Sequence, residues 1–495
     1  MASMSGGKQR LACINCRTVK RYTISPTDLS SVTTQRPTAV ARHEAAKEDP
    51  VSLEFLSVLE AENLRRFFFR HLNPMIALLD PDLHHSSYMR QNSPLLFTAV
   101  LAVAAKFVHR ELHQPLLTHA QMILNRATNM GECSLGLVQS LLIMVYWKTP
   151  TDTSAWVKIG IGMRLAYQLG LHVPRTKKLP SDDREARILR SAERTWFCLH
   201  CFDRAYSEIF SLPTTIRLEE LGDVEAWANE QGAPKTEADM HVASAVSTAS
   251  AQMMWAKFRQ SRDSLPRQWQ WDFLSDLAAQ YERHMKTWFP DDPGTRRFSA
   301  AEERSLKWFD LNHLLKLKHE MLDCAPPPNI PVLMNECLVL AQSFASQTEA
   351  ITEDGSLLYL QDTSATHLSS FGLVIYKLFW RLDARQQRLA IQTVRRVHQS
   401  CTKVAGTDDQ AVTAFVARFL QRLLRMITQD SRANTQPGTP TGDGGEAPGA
   451  LPQNNDLFTD LEEFLRLTAT VDEERSLLDD QFWSSILPGS AFGAQ

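Results

Sequence analysis

The sequence predicts an all-α protein: one large helical body between two termini of disordered composition. Three observations lead there. Glycine is sparse, 20 in 495 residues. The apolar runs are long and Leu/Ala-rich rather than alternating, as helices require and strands do not. Large apolar residues also recur three, four and seven positions apart through most of the chain.

The elements follow in order. Residues 1–21 are polar and basic, with no apolar signal core. Residues 22–50 hold Ser, Thr, Pro, Arg and Glu, a linker composition. From Val51 the character changes. Leu53, Leu56, Leu59, Leu64, Phe67 and Phe68 predict a helix through to Leu72, with turns at Asn73-Pro74 and Asp80-Pro81. Pro94–Arg110 reads as a nearly all-apolar helix with Pro94 in its first turn after Ser93. Ser134–Trp147 is another buried helix, and Ala155–Leu171 stops at Gly170 with Pro174 beyond. Asp182–Phe210 is charged first and aromatic later. The spacing returns in Leu314–Leu322, Pro331–Ala345, Ser369–Leu382 and Val412–Ile427, with loops at Asn229–Pro234, Pro290–Gly294 and Ala325–Pro331. The helical body is thus expected over 51–430, followed by a Gly/Pro linker at 431–455 and a separate acidic segment at 456–495.

Composition narrows the function. Net charge is −3, so any affinity for nucleic acid must be local. Eight scattered cysteines suggest reduced thiols in an intracellular protein. The longest uncharged apolar stretch, Leu95 to Ala105, is too short to span a bilayer, and no membrane partner is expected.

Two segments carry chemistry. Cys13 and Cys16, followed by Arg17, Lys20 and Arg21, open a small zinc module whose cations would meet DNA phosphates. The next cysteine is Cys133, and two thiolates cannot close a tetrahedral site. The metal-ligand set is therefore incomplete, and no stoichiometric zinc cluster is expected of this chain. At the other end, Asp456 to Leu487 carries nine acidic and two basic residues. Its apolar residues form two stripes: Leu457, Phe458, Leu461, Phe464 and Leu465, then Leu478, Phe482, Trp483, Ile486 and Leu487. Such acidic–aromatic segments stay soluble until a coactivator groove accepts them, and fold on binding. The blander reading is a charged tail, or a helix docking back on the core.

Two further motifs read as inert. Cys198 and Cys201, with His200 between them, are flanked by core aromatics and are expected to be buried thiols. Asn455 to Glu463 matches a Mg²⁺-binding pattern of all-helical enzymes, but it follows a Gly/Pro linker and has no Asp-rich partner. No catalytic constellation is visible, and the chain is not expected to be an enzyme.

Residues Ala12 to Lys20 resemble the opening of the fungal binuclear zinc cluster transcription factors, in which C-x-x-C-R-x-x-K begins six cysteines holding two zinc ions. Tyr22 and Thr23 depart from that pattern. Over roughly 55–225 the chain resembles the same family's middle regulatory region. The matching residues are His71-Leu72-Asn73-Pro74 with Leu78-Leu79-Asp80-Pro81, Gln139 to Leu142, Ala155-Trp156, Met163 to His172, Glu193 to Phe197, and Asp203-Arg204 followed by Leu212-Pro213, with Ser211 where the family has glycine. The resemblance implies a nuclear transcription regulator, often pathway-specific, with zinc as cofactor and promoter DNA, a coactivator and a second copy as partners. Either a segment carrying the remaining ligands is omitted from this form of the chain, or DNA is reached through a partner. A ligand-sensing helical partner and a Mg²⁺-dependent helical enzyme are the competing readings.

Overall fold

A computed structural model describes residues 48–149, 152–209, 212–234, 236–433 and 482–483. Among them there is no strand, and the all-α expectation holds. No described helix is long and apolar enough to cross a membrane.

The first half is built on α1 (Val58–Phe67), α2 (Asn73–Ile76), α3 (Ser86–Asn92), α4 (Pro94–Val108), α5 (Arg110–Asn129), α6 (Leu135–Tyr146) and α7 (Ala155–Gln168). The apolar α4 lies at its centre, packed on α1, α3, α5 and α6. Every residue from Leu95 to Ala105 is buried, which is why that run carries no charge. A long α8 (Asp183–Ile209) then leads to the short α9 (Val224–Ala228). The second half comprises α10 (Glu237–Ser261), α11 (Arg267–Trp288), α12 (Ala300–Met321), α13 (Ile330–Glu353), α14 (Ser364–Phe379), α15 (Ala384–Ala405) and α16 (Val412–Ala433). Helix α8 packs on α6, α7 and α10, so it joins the two halves, and α12 reaches back to α2.

Local chemistry sets the boundaries. The first helix starts later than its leucines suggest. Ser57 and Glu60 form a capping box, Glu54 turns the chain with φ of 59°, and Leu53 and Leu59 are exposed. Its last turn then loosens into a π-helical turn, Phe68–Leu72. The apolar pattern at Pro94 ends at Val108, where His109 leaves helical geometry before α5 begins. Ser93 and Ser134 cap α4 and α6 with their hydroxyls. Gly170, at φ of 73°, closes α7 as its position predicted.

Candidate regulatory site

The first half folds around side-chain clamps, and these are the residues that stand out in the sequence. Asn73 bonds Leu79 twice, donating from Nδ2 to its carbonyl (2.8 Å) and accepting from its N–H (3.0 Å). That closes the turn in which Ala77 takes φ of 50°. The Tyr146 hydroxyl donates to the Met75 carbonyl at 3.0 Å. Gln139 Nε2 donates to Ser191 and Thr195 on α8. Asp203 accepts the backbone N–H groups of Thr215 (2.7 Å) and Ile216 (2.8 Å), fixing the loop after α8. Its neighbour Arg204 turns to the Gln252 carbonyl and to Glu208. The pair thus holds a loop on one side and α10 on the other.

Further up α8, Arg190 and Arg194 both bond the carboxylate of Asp239, at 2.9 and 2.7 Å, with all three side chains buried. The Arg190 guanidinium also lies 3.8 Å from the Trp227 ring centroid. One carboxylate answers two cations here, and this knot pins α10 along α8.

Below it, α8, α10, α12 and the start of α14 leave a cavity of about 180 Å³. Met75, Ile76 and Tyr146 close it from the first half, and His313, Lys316 and His367 face it from the second. Its charges answer one another. Glu208 has Arg204 at 3.2 Å, Lys316 at 3.6 Å and Arg259 at 3.8 Å. Burial would raise its pKa, but Lys316, Arg204 and Arg259 outweigh that and hold its carboxyl well below the usual range. Asp310 accepts from the Thr248 hydroxyl at 2.7 Å and meets His284 at 3.2 Å. Burial keeps the lining histidines neutral, His241 near 4 and His367 near 3.

The thiols of the second C-x-x-C, Cys198 and Cys201, stand in this wall. Burial pushes Cys198 far up and Cys201 to about 12, so they are inert at neutral pH. His200 is fully buried with neither ring nitrogen bonded among the described residues.

Those signature residues and their clamps coincide with one known domain. Residues 66–233 match the fungal specific transcription factor domain. Over 188 residues the chain is 32% identical to protein priB of Lentinula edodes, and over 187 residues 28% identical to the transcriptional activator of proteases prtT of Emericella nidulans. These stretches are 37% and 35% of this chain and 30% and 26% of those proteins. The chain therefore spans less than a third of the length of the curated relatives it matches. No solved structure matches it. The matched stretch, residues 66–233, supplies one end of the cavity and the whole of α8. The remaining wall comes from helices beyond residue 233.

The sites expected from the sequence fall mostly outside the described residues. That holds for Cys13, Cys16, Arg17, Lys20 and Arg21, for the Mg²⁺-like pattern at 455–463, and for Leu457, Phe458, Leu461, Phe464, Leu465, Ile486 and Leu487. Cys133 donates to the Leu165 carbonyl, and Cys198, Cys324, Cys337 and Cys401 are buried apart. Among the described residues no three His, Cys, Asp or Glu side chains gather as a metal group.

Phe482 and Trp483 are the two tail residues whose placement is described, and they are not free. Phe482 stacks on Phe415 of α16, centroids 4.0 Å apart and planes 3° from parallel. Trp483 lies 5.8 Å from Phe419 and is 1% exposed. Arg418 covers the Phe415 ring at 4.5 Å. The docking reading of the tail therefore applies to this pair.

The sequence did not point to the cavity. Its polar residues, Glu208, His241, His313, Lys316 and His367, form no motif. The signal was there in weaker form: Lys316 interrupts the apolar spacing of Leu314–Leu322, with His313 just before it.

Proposed function

We propose that the protein is a nuclear transcription regulator, an activator in which the helical body restrains an acidic C-terminal activation segment. The match of residues 66–233 to the fungal specific transcription factor domain carries this reading. It also favours a regulator over a Mg²⁺-dependent helical enzyme. A relative named as a transcriptional activator of proteases supports the activating sign. Promoter DNA, reached directly or through a partner chain, and a coactivator are the partners this role requires.

For Phe482 and Trp483 to enter a coactivator groove they must first leave Phe415 and Phe419. Residues 451–495 fused to a foreign DNA-binding domain have no α16 to dock on, so they should drive a reporter strongly. Reporter output unchanged after Phe458, Phe482 and Trp483 are all replaced by Ala would remove the activation role. DNA binding has its own test. Elemental analysis of the purified chain should find no zinc, and two zinc ions per chain would restore direct DNA binding through an N-terminal cluster.

A further inference from the structure

Arg-Arg pairs occur three times in the chain, in different settings. Arg65 and Arg66 lie in α1 and both bond Glu62, and Arg395 and Arg396 lie in α15, where Arg396 bonds Glu349 at 2.6 Å. Arg296 and Arg297 lie in the loop between α11 and α12. Only this pair is followed two residues on by a serine, as Arg296-Arg297-Phe298-Ser299. Ser299 is exposed and is the N-cap of α12. Both ends of the tetrapeptide are extended, Arg296 at φ −59° and ψ 135°, Ser299 at φ −61° and ψ 156°.

The capping box of Ser299 with Glu302 accounts for the serine. It does not account for the two arginines. Their carboxylate neighbours are distant, Glu303 at 3.9 Å from Arg296 and Glu225 at 3.9 Å from Arg297, beyond hydrogen-bond range. Arg296 is exposed, and Arg297 lies half-buried over the Trp288 ring at 5.1 Å. Among the described residues the backbone of residues 296–298 makes no hydrogen bond to other backbone, so an enzyme groove that takes this strand breaks none. Phe298 has only to lift from Trp288 and Phe289, whose ring centroids are 6.1 and 5.7 Å away. Two guanidiniums standing three and two residues ahead of an exposed hydroxyl suit a groove lined with carboxylates.

We propose that Ser299 is a phosphorylation site for an arginine-directed protein kinase using ATP. The Ser299 oxygen bonds to the γ-phosphorus as the bridging β–γ bond breaks, ADP leaves, and the hydroxyl proton passes to a carboxylate of the kinase. The phosphate, with a charge of about −1.5 to −2, arrives where Glu302 Oε2 now lies 2.7 Å from Ser299 Oγ. Glu302 has little room to share: it is 4% exposed, and its charge already pushes the Glu237 carboxyl of α10 up. The carboxylate therefore gives way. Helix α12 and Arg296 then hold the phosphate in its place, and the Ser299 N–H, which Glu302 accepts at 3.1 Å, is released.

The test uses the full native chain with Mg²⁺-ATP and the catalytic subunit of cyclic-AMP-dependent protein kinase, an arginine-directed enzyme. Mass spectrometry at residue level separates Ser299 from Thr23, which follows Lys20-Arg21. Ser299 should be phosphorylated, and Arg296→Ala with Arg297→Ala should slow this about tenfold or more. Arg296→Ala alone, at an exposed side chain, should slow it too, which covers a double variant that does not fold. Glu302→Gln keeps the cap and should leave the rate within about twofold, whereas an acid-directed kinase would lose its determinant. Hydrogen exchange at the Ser299 amide should quicken on phosphorylation. No phosphate on Ser299, phosphate only after heat denaturation, a rate that survives loss of both arginines or falls with Glu302→Gln, or unchanged exchange would overturn the assignment. No reporter is read, so the result is separable from whether the chain activates transcription.

Discussion

Asp239 shows how much can rest on one carboxylate. Two buried guanidiniums, Arg190 and Arg194, depend on it. Asp239→Asn leaves Arg194 without a counter-charge and Arg190 with only the more distant Glu230 (3.6 Å) and Glu193 (4.0 Å), and should cost about 3–5 kcal/mol in urea denaturation. The exposed pair Arg110–Asp408 is the contrast: Arg110→Ala should cost under about 1 kcal/mol. Histidines give the molecule its pH dependence. Burial lowers His84, His200 and His241 from 6.5 to about 4 in the folded chain. As pH falls below 6.5 the unfolded chain takes up protons that the folded chain refuses, so the histidines drain stability between pH 6.5 and 4, and Glu208, held low by its cations, continues the loss below that. Thermal melts across that window should show Tm falling with pH, and His241→Leu should flatten part of the slope. None of this was legible in the sequence. Asp239 and Arg194 are 45 positions apart, and pairing across that distance leaves no local pattern. Asp203-Arg204 was visible as a motif, but its division of labour, loop on one side and α10 on the other, needed three dimensions.

At the scale of elements the sequence was more informative. Helices α4, α6, α7 and α8 lie within three residues of where apolar spacing and the Ser93, Ser134 and Gly170 signals put them. The signals are local, a capping hydroxyl or a positive φ, and local signals survive in sequence. The start of α1 did not follow the leucines, because the Ser57–Glu60 box overrode apolar spacing. Helix α5 escaped notice because Pro115 lies in its second turn, where a proline ordinarily argues against helix. Gly372 carries a different lesson. A Cβ there would come 2.9 Å from Leu420 and 3.1 Å from Phe419, so the glycine lets α14 and α16 approach. Gly372→Val should cost about 1–3 kcal/mol by overpacking. It should also disturb Phe419, the ring beside Trp483. A lowered urea midpoint together with a shifted Trp emission would show both effects.

On the scale of the whole molecule, the stretch that matches the transcription factor domain, residues 66–233, is only part of the folded body. Helices α10 to α16 extend it without a break, and they carry half of the cavity wall. The C-terminal aromatic pair then touches the last of them, α16. Burying Phe482 and Trp483 gains about 4–6 kcal/mol, which as a free peptide would mean a dissociation constant of about 0.05–1 mM. A tether supplies a local concentration on the order of millimolar. Closed and open forms should therefore differ by a factor of about 1–20, a latch set near its balance point. Phe415→Ala should tip it open in the full chain, read as a red shift of Trp483 emission. Covalent continuity is then what keeps the latch shut. A single peptide cleavage anywhere between 434 and 481 would leave the terminal fragment dissociating at micromolar protein concentrations. One proteolytic cut would turn a reversible contact into a permanent release.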